Sequence, residues 1–432
     1  MKYFLIIFSL FWVVSSVAQV KVVTLEKPSK AKYRYSQVEP SICINPKNTN
    51  EVIAGSVLND YYYSTDGGES WTSKSIKCKW GVHGDPCMLI DTAQRYYYFH
   101  LSNVKRNGGR LTGGMICQRS DVIEGKFKMK TAGRTKVVGK YDDKEWVALD
   151  PRNNNIYMTW TQFDAYDSDK PEDYSNILFS KSTDGGLSWS DPVDISAIPG
   201  DCEDGDQTAE GAVPAIGPNG EIYVCWARND SLWFNVSTDE GKTWLSKERF
   251  VSTQSQGWVL DIPGIYRCNG LPVTSCDISN GPNRGNIYLC WADQRNGTDD
   301  TDVWLAVSSD GGKSWSKDRK VNTDESGKHQ FLPWMTIDQA TGYLYFVFYD
   351  RRDQTAKKTD VYLARSKDGA ETFENFLISQ SPFLPTKDIF FGDYTNISVH
   401  NGVIRPIWTR LHKGKISVHT ALIHQDQLDQ IK

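Results

Sequence analysis

One eight-residue phrase constrains this chain more than anything else in it. Ser64-Thr65-Asp66-Gly67-Gly68-Glu69-Ser70-Trp71 recurs at residues 182–189, 237–244 and 308–315, and a weakened copy at 366–373 has Ala370 for the second glycine and Phe373 for the tryptophan. Each copy follows a β-rich segment such as Tyr61-Tyr62-Tyr63 or Val303-Trp304-Leu305-Ala306-Val307. The physical reading is a hairpin turn. Aspartate accepts hydrogen bonds from turn amides, glycine takes the positive-φ position, and the aromatic residue packs under the turn. Repetition of one supersecondary unit points to a repeat architecture rather than to several unrelated domains.

A broader repeat gives the number of units. A turn containing Gly or Asn, followed by an aromatic strand, occurs seven times, from residues 50–56 through 92–102, 153–162, 219–228, 285–293 and 342–350 to 402–410. The spacing leaves room for four short strands per unit. The expected fold is therefore all-β, a single β-propeller of seven blades over residues 19–424, with six as the alternative. Residues 425–432 form a short C-terminal tail. The last unit carries three strands, so Val20–Thr24 is expected to supply its fourth and cover an exposed edge.

Composition agrees. The chain has 432 residues, 15 Trp and 21 Tyr, and a net charge of −4 from 49 basic and 53 acidic residues. That balance excludes a nucleic-acid binder acting through bulk positive charge. Lys2, the apolar run Phe4–Val14 and the small residues Ser16-Val17-Ala18 read as an export signal over residues 1–18. No other stretch approaches the roughly 20 apolar residues that a membrane helix needs. A secreted or periplasmic location follows, with no lipid anchor. In an oxidising compartment Cys78/Cys87 and Cys268/Cys276, close in sequence, are plausible disulfides. No CxxC occurs and the seven histidines lack ligand spacing, so no metal or other cofactor is expected. The acidic run Asp299-Asp300 with Asp302 reads as a solvated loop rather than a calcium site.

The pattern Ser-x-Asp-x-Gly-x-x-Trp resembles the Asp-box, or bacterial neuraminidase repeat, of sialidase-like β-propellers. In that family the boxes lie between the third and fourth strands of a blade, away from the ligand face, which implies a structural role here. The ligand face would hold the inner-strand starts (Glu39, Asp85, Glu145, Glu210, His329, Asp393 and Tyr394) and the second-strand ends (His100, Asp164, Arg228, Arg295, Arg351, Arg352 and Arg410). Arginines converging there would hold an acidic group bidentately.

The resemblance reaches some of these positions. Gly84-Asp85-Pro86-Cys87 is similar to the family's Asp-Pro segment, which implies an acid/base role for Asp85. Residues 209–228 resemble its Glu-to-Arg segment, which implies that Glu210 polarises a nucleophile and Arg228 binds substrate. Arg295 stands where a further arginine is expected, and Tyr394 in Gly392-Asp393-Tyr394 resembles the tyrosine nucleophile. Val38 occupies the place of the family's first arginine, so the chain is not a standard sialidase.

The implied function is an exported glycoside hydrolase acting on an anionic glycan. Asp85, Glu210 and Tyr394 would be catalytic, and Arg228, Arg295, Arg351 and Arg410 would bind substrate. The alternatives are a non-catalytic glycan- or protein-binding propeller and a polysaccharide lyase using His83 and His100. Nothing in the sequence calls for a second chain, so a monomer is expected.

Overall fold

The computed structural model describes residues 20–26, 29–30, 37–102, 104–105, 111–112, 114–131, 139–257, 259–325 and 327–431. Residues 1–18, read above as an export signal, lie outside them. Apart from one helical turn the described chain is strands joined by turns and loops, and it forms a seven-bladed β-propeller. The blades begin at the inner strands Ser41–Ile44, Cys87–Ile90, Tyr141–Leu149, Glu210–Ile216, Val273–Cys276, Gln330–Asp338 and Asn396–His400. Each is an antiparallel sheet of four consecutive positions, except where the ring closes. There Lys21–Thr24 becomes the outermost strand of the seventh blade, pairing antiparallel with its third strand Lys415–His424 in the register Lys21 to Leu422 and Thr24 to His419.

Burial follows from the stacking of blades. The second strand of a blade is covered on both faces, so it reads as a continuous apolar run rather than an alternating one. Tyr96–Leu101, Ile156–Phe163, Ile222–Ala227 and Ile287–Asp293 are buried along their whole length. Outer strands are short and polar, as in the fully exposed Thr72–Ser75, which protects the sheet edge.

The boxes form one repeated hydrogen-bond cage. In the fourth copy, Ser308 Oγ donates to Asp310 Oδ1 at 2.8 Å, the Ser314 amide donates to the same oxygen at 2.9 Å, and the Ser314 hydroxyl donates to Oδ2 at 2.6 Å. The fifth box builds the same cage with Ala370 at φ +74°, a left-handed conformation that glycine adopts without strain. The aromatic residue does more than cover its own turn. Trp244 packs edge-on against Phe179 of the preceding blade at 5.0 Å, and Trp315 against Phe234 at 5.5 Å.

A cation from the preceding blade staples each box. Arg405 donates to the Gly67 carbonyl, Arg119 to Gly185, Lys181 to Glu240, Arg249 to Gly312 and Arg319 to Ala370, at 2.6–3.0 Å. The second blade has no recognisable box, yet Lys74 donates to Glu124 O at 2.6 Å and Phe127 meets Tyr61 at 4.9 Å. That turn does the same work with a different sequence.

No disulfide joins the cysteines. Cys268 lies in the loop at the channel mouth and Cys276 ends the inner strand Val273–Cys276, so the strand's length separates them. Cys87 is buried in the central core, whereas Cys78 is half-buried in a loop. Residues 425–431 include one helical turn, Gln425–Leu428, held by Arg365 through Asp429 at 2.7 Å. Among the described residues no helix is long and apolar enough to cross a membrane.

Candidate functional site

Six of the seven inner strands are entered through a left-handed residue: Glu39 (φ +52°), Asp85 (+48°), Lys144 (+56°), Gly211 (+78°), Leu332 (+50°) and Gly392 (+94°). Proline follows three of them (Pro40, Pro86, Pro333), and a residue before proline is pushed out of the right-handed helical region. Such strained backbone clusters at functional sites. Gly392 is required by contact, because a Cβ there would stand 2.9 Å from the Glu39 amide nitrogen. Register shifts follow in the third, fourth and sixth blades.

Two residues further on, a layer of side chains fills the channel. Trp146 and Trp334 lie 4.3 Å apart between ring centroids, and Tyr394 sits 4.9 Å from Trp146 and 6.1 Å from Trp334. Cys87, Val213 and Val273 complete the same core cluster. Above this plug opens a cavity of about 400 Å³. Its walls carry six carboxyl groups, from Glu39, Asp85, Asp143, Asp204, Glu210 and Asp393, together with Lys144, Arg267, His83, Tyr141, Tyr166 and Phe390.

The charges are organised in two groups. Arg267 donates through Nε to Asp393 Oδ1 at 3.0 Å and through Nη2 to Oδ2, while Nη1 reaches Asp204 Oδ2 at 3.2 Å. Lys144 Nζ stands 3.7 Å from Asp393. Burial pushes Asp393 upward, but Arg267 and then Lys144 outweigh it and hold the carboxyl at about 2. The other acids shift the opposite way. Burial and the neighbouring Asp85 and Asp393 drive Glu39 well above the carboxylate range. Burial, Asp85 and Glu210 do the same to Asp143, which is hydrogen-bonded to Asp85 and is therefore the donor of that pair.

Glu210 is pushed up to about 8 by burial and by Asp204, against the opposing pull of Lys144 and Arg267. Its Oε2 has no hydrogen-bond partner. A buried carboxylic acid that keeps its proton near neutrality is the form a general acid takes. Behind the wall, Glu145 is fully buried with neither carboxyl oxygen partnered, and burial raises it well above its usual range.

Of the residues expected from sequence, the structure brings Asp85 and Glu210 into one cavity together with Glu39, Asp393 and His83. The four arginines do not converge. Arg228 is buried against Glu248 at 2.6 Å and stacks on Trp233 at 4.5 Å. Arg295 is held by Asp293 and Asp318, each at 2.6 Å, over Trp304. Arg351 donates to Thr359 Oγ1 at 3.1 Å and to Pro263 O at 2.9 Å, and burial lowers it to about 10. Arg410 donates to Ser381 Oγ at 3.2 Å beside Phe383. None lines the cavity.

Tyr394 belongs to the plug one layer below. Its hydroxyl has no hydrogen-bond partner, and no hydrogen bond joins it to Glu210. It borders a separate void of about 20 Å³. His100 is also structural: it is buried, bonded to Leu101 O at 2.7 Å and to Gln118 at 2.9 Å, and lowered to about 4 by burial. Sequence reasoning missed Asp143, Lys144, Asp204 and Arg267. The run Asp143-Lys144-Glu145 at an inner-strand entry was a usable signal, whereas Arg267 comes from a loop without one. Among the described residues no group of three or more His, Cys, Asp or Glu is arranged to hold a metal ion.

The fold and its turns define a seven-bladed Asp-box β-propeller. Residues 62–73 match the BNR/Asp-box repeat family model. No curated protein sequence matches the chain. Similar solved structures include an ulvan lyase bound to GlcA(1-4)Rha3S, with 11% identity, TM-score 0.54, and coverage of 94% of this chain and 100% of the other. An α-L-arabinofuranosidase from Fusarium graminearum has 10% identity, TM-score 0.52, and coverage of 94% and 98%. A protein of unknown function from Dyadobacter fermentans has 12% identity, TM-score 0.51, and coverage of 94% and 98%. At these identities the likeness is one of fold.

Proposed function

We propose that the chain is an exported glycoside hydrolase whose acid–base pair is Glu210 and Asp85. One observation carries this reading: Glu210 keeps a proton near neutral pH, lines the cavity and has an unpartnered carboxyl oxygen. Glycosidic cleavage needs a carboxylic acid to protonate the leaving oxygen and a second carboxyl to activate water or attack the sugar. In this reading Glu210 gives its proton to the leaving oxygen as the C–O bond breaks. Asp85, accepting a hydrogen bond from Asp143, takes the proton of the attacking water. Tyr141 and Tyr166, with rings 4.8 Å apart, line the cavity beside the sugar.

Propeller-shaped neighbours that act on glycans are consistent with this class of substrate. The expectation of an anionic glycan loses its support once the four arginines are engaged elsewhere.

The test is a screen of purified chain against glycans, followed both for released reducing ends and for the ultraviolet absorption of an unsaturated product. Reducing-end release that disappears in Glu210→Gln and in Asp85→Asn supports the hydrolase. An unsaturated product replaces it with a lyase, and binding without turnover replaces it with a non-catalytic glycan-binding propeller.

A further inference from the structure

The cavity is unusual for what it lacks as much as for what it holds. A site for a carboxylated or sulfated sugar needs a cation free to receive the acidic group. Here both cations are already engaged. Arg267 uses Nε and Nη2 on Asp393 and Nη1 on Asp204, and Lys144 stands against Asp393 on one side and over the Tyr394 ring, 4.8 Å away, on the other. The remaining cavity acids, Glu39, Asp85, Asp143 and Glu210, come from four successive positions on the ring's first four blades. The same walls carry His83, Asn269, Tyr141, Tyr166 and Phe390, the last with Arg267 over its ring at 5.3 Å.

We infer that the cavity takes a sugar without an acidic group and discriminates against its carboxylated counterpart. This rests on the glycan-acting reading above. The basis is charge complementarity: burial and their charged neighbours already hold Glu39, Asp143 and Glu210 in their protonated forms, and the Arg267 and Lys144 charges are neutralised within the protein, so a further anion would enter a desolvated pocket with no free cation to receive it. A desolvated anion left without a partner is a repulsive specificity element, and it acts whether or not the bound sugar is cleaved. Sugar hydroxyls, by contrast, satisfy both kinds of partner present. They donate to carboxylates and accept from protonated carboxyls such as Glu210, whose Oε2 has no partner within the protein.

The experiment compares matched oligosaccharides that differ only at C6, namely galactotriose against trigalacturonate and mannotriose against trimannuronate, by titration calorimetry on the purified chain. A third comparison uses lactose against sialyllactose. The expected result is at least about tenfold weaker binding for the acidic member of each pair that binds, about 1.4 kcal/mol. Asp204→Asn removes one acid and releases one arm of Arg267, so it is expected to narrow the ratio, chiefly by improving the acidic member. Equal or tighter binding of the acidic member in any pair overturns the inference. Binding of neither member in every pair overturns it together with the glycan-acting reading. A neutral preference without turnover keeps the inference and removes only the hydrolytic step.

Discussion

Arg267 and Asp393 form the central ion pair of the channel mouth, joining a loop of the fifth blade to the entry of the seventh. The aspartate is buried, whereas the arginine side chain is 37% exposed. Removing the arginine leaves Asp393 with Lys144 at 3.7 Å as its remaining cation.

Arg267→Gln is therefore expected to destabilise the fold by about 2–3 kcal/mol near pH 7, below the usual cost of breaking a fully buried pair because the arginine is partly solvated. The pH dependence has a defined sign. Asp393 is depressed in the folded state to about 2, so its contribution is present above the unfolded carboxylate pKa and fades as pH falls through about 2. Urea melts of both proteins at pH 7 and pH 2.5 check this: the gap between them should shrink at the lower pH.

Glu210 behaves oppositely. Its folded pKa of about 8 lies above the unfolded value, so the group's contribution is fully present below pH 4 and is lost as pH rises through about 8. Glu210→Gln should raise the midpoint of thermal unfolding at pH 8 by about 3–5 °C and leave it unchanged at pH 4. The same variant should lose at least about 10²-fold in kcat, and wild-type activity should decline as pH passes about 8. A variant that is both inactive and less stable at pH 8 would contradict the assignment.

Arg228→Met tests the arginine that sequence placed in the site. It leaves the buried Glu248 without a cation, held only by the Ala197 and Ile198 amides, at a cost of about 3 kcal/mol, while turnover per folded molecule stays within about twofold. Denaturant titration and active-fraction kinetics read the two effects separately.

Tyr394→Phe deletes a buried hydroxyl that has no hydrogen-bond partner. Stability should be unchanged or raised by up to about 1 kcal/mol, and activity should persist. Loss of activity without loss of stability would restore the tyrosine to the chemistry.

The boxes offer a paired test. Ala370→Gly relieves a left-handed alanine but removes a buried methyl, so the net change should stay within about 1 kcal/mol. Gly312→Ala places a Cβ 2.2 Å from the Phe234 ring at φ +76°, which should cost more than about 2 kcal/mol. Chemical denaturation of the two variants gives the comparison directly.

The seven blades were legible because their signals are local. A box is contiguous, and a second strand covered on both faces is a continuous apolar run such as Ile222–Ala227. The site was only half legible. Asp85 and Glu210 sit at strand entries whose position the repeat predicts, whereas Asp204 and Arg267 arrive on long loops whose fold over the mouth depends on distant contacts. The arginines misled for a local reason that was itself visible: Arg295 and Arg352 each follow an aspartate by two residues, and Asp293 and Asp350 capture them. Tyr394 misled because a resemblance over six residues does not reveal which layer of a channel a side chain occupies.

The pairing of Lys21–Thr24 with Lys415–His424 has a consequence for biogenesis. The segment made before the first blade must wait, unpaired, until the seventh blade emerges, and the Arg405 contact with Gly67 forms only then. Every earlier blade can settle on its predecessor during synthesis, but the ring itself is completed by one late, very non-local step. Loss of the seventh blade's outer hairpin would thus strand the first blade as well, turning a deletion within one blade into a defect on both sides of the closure.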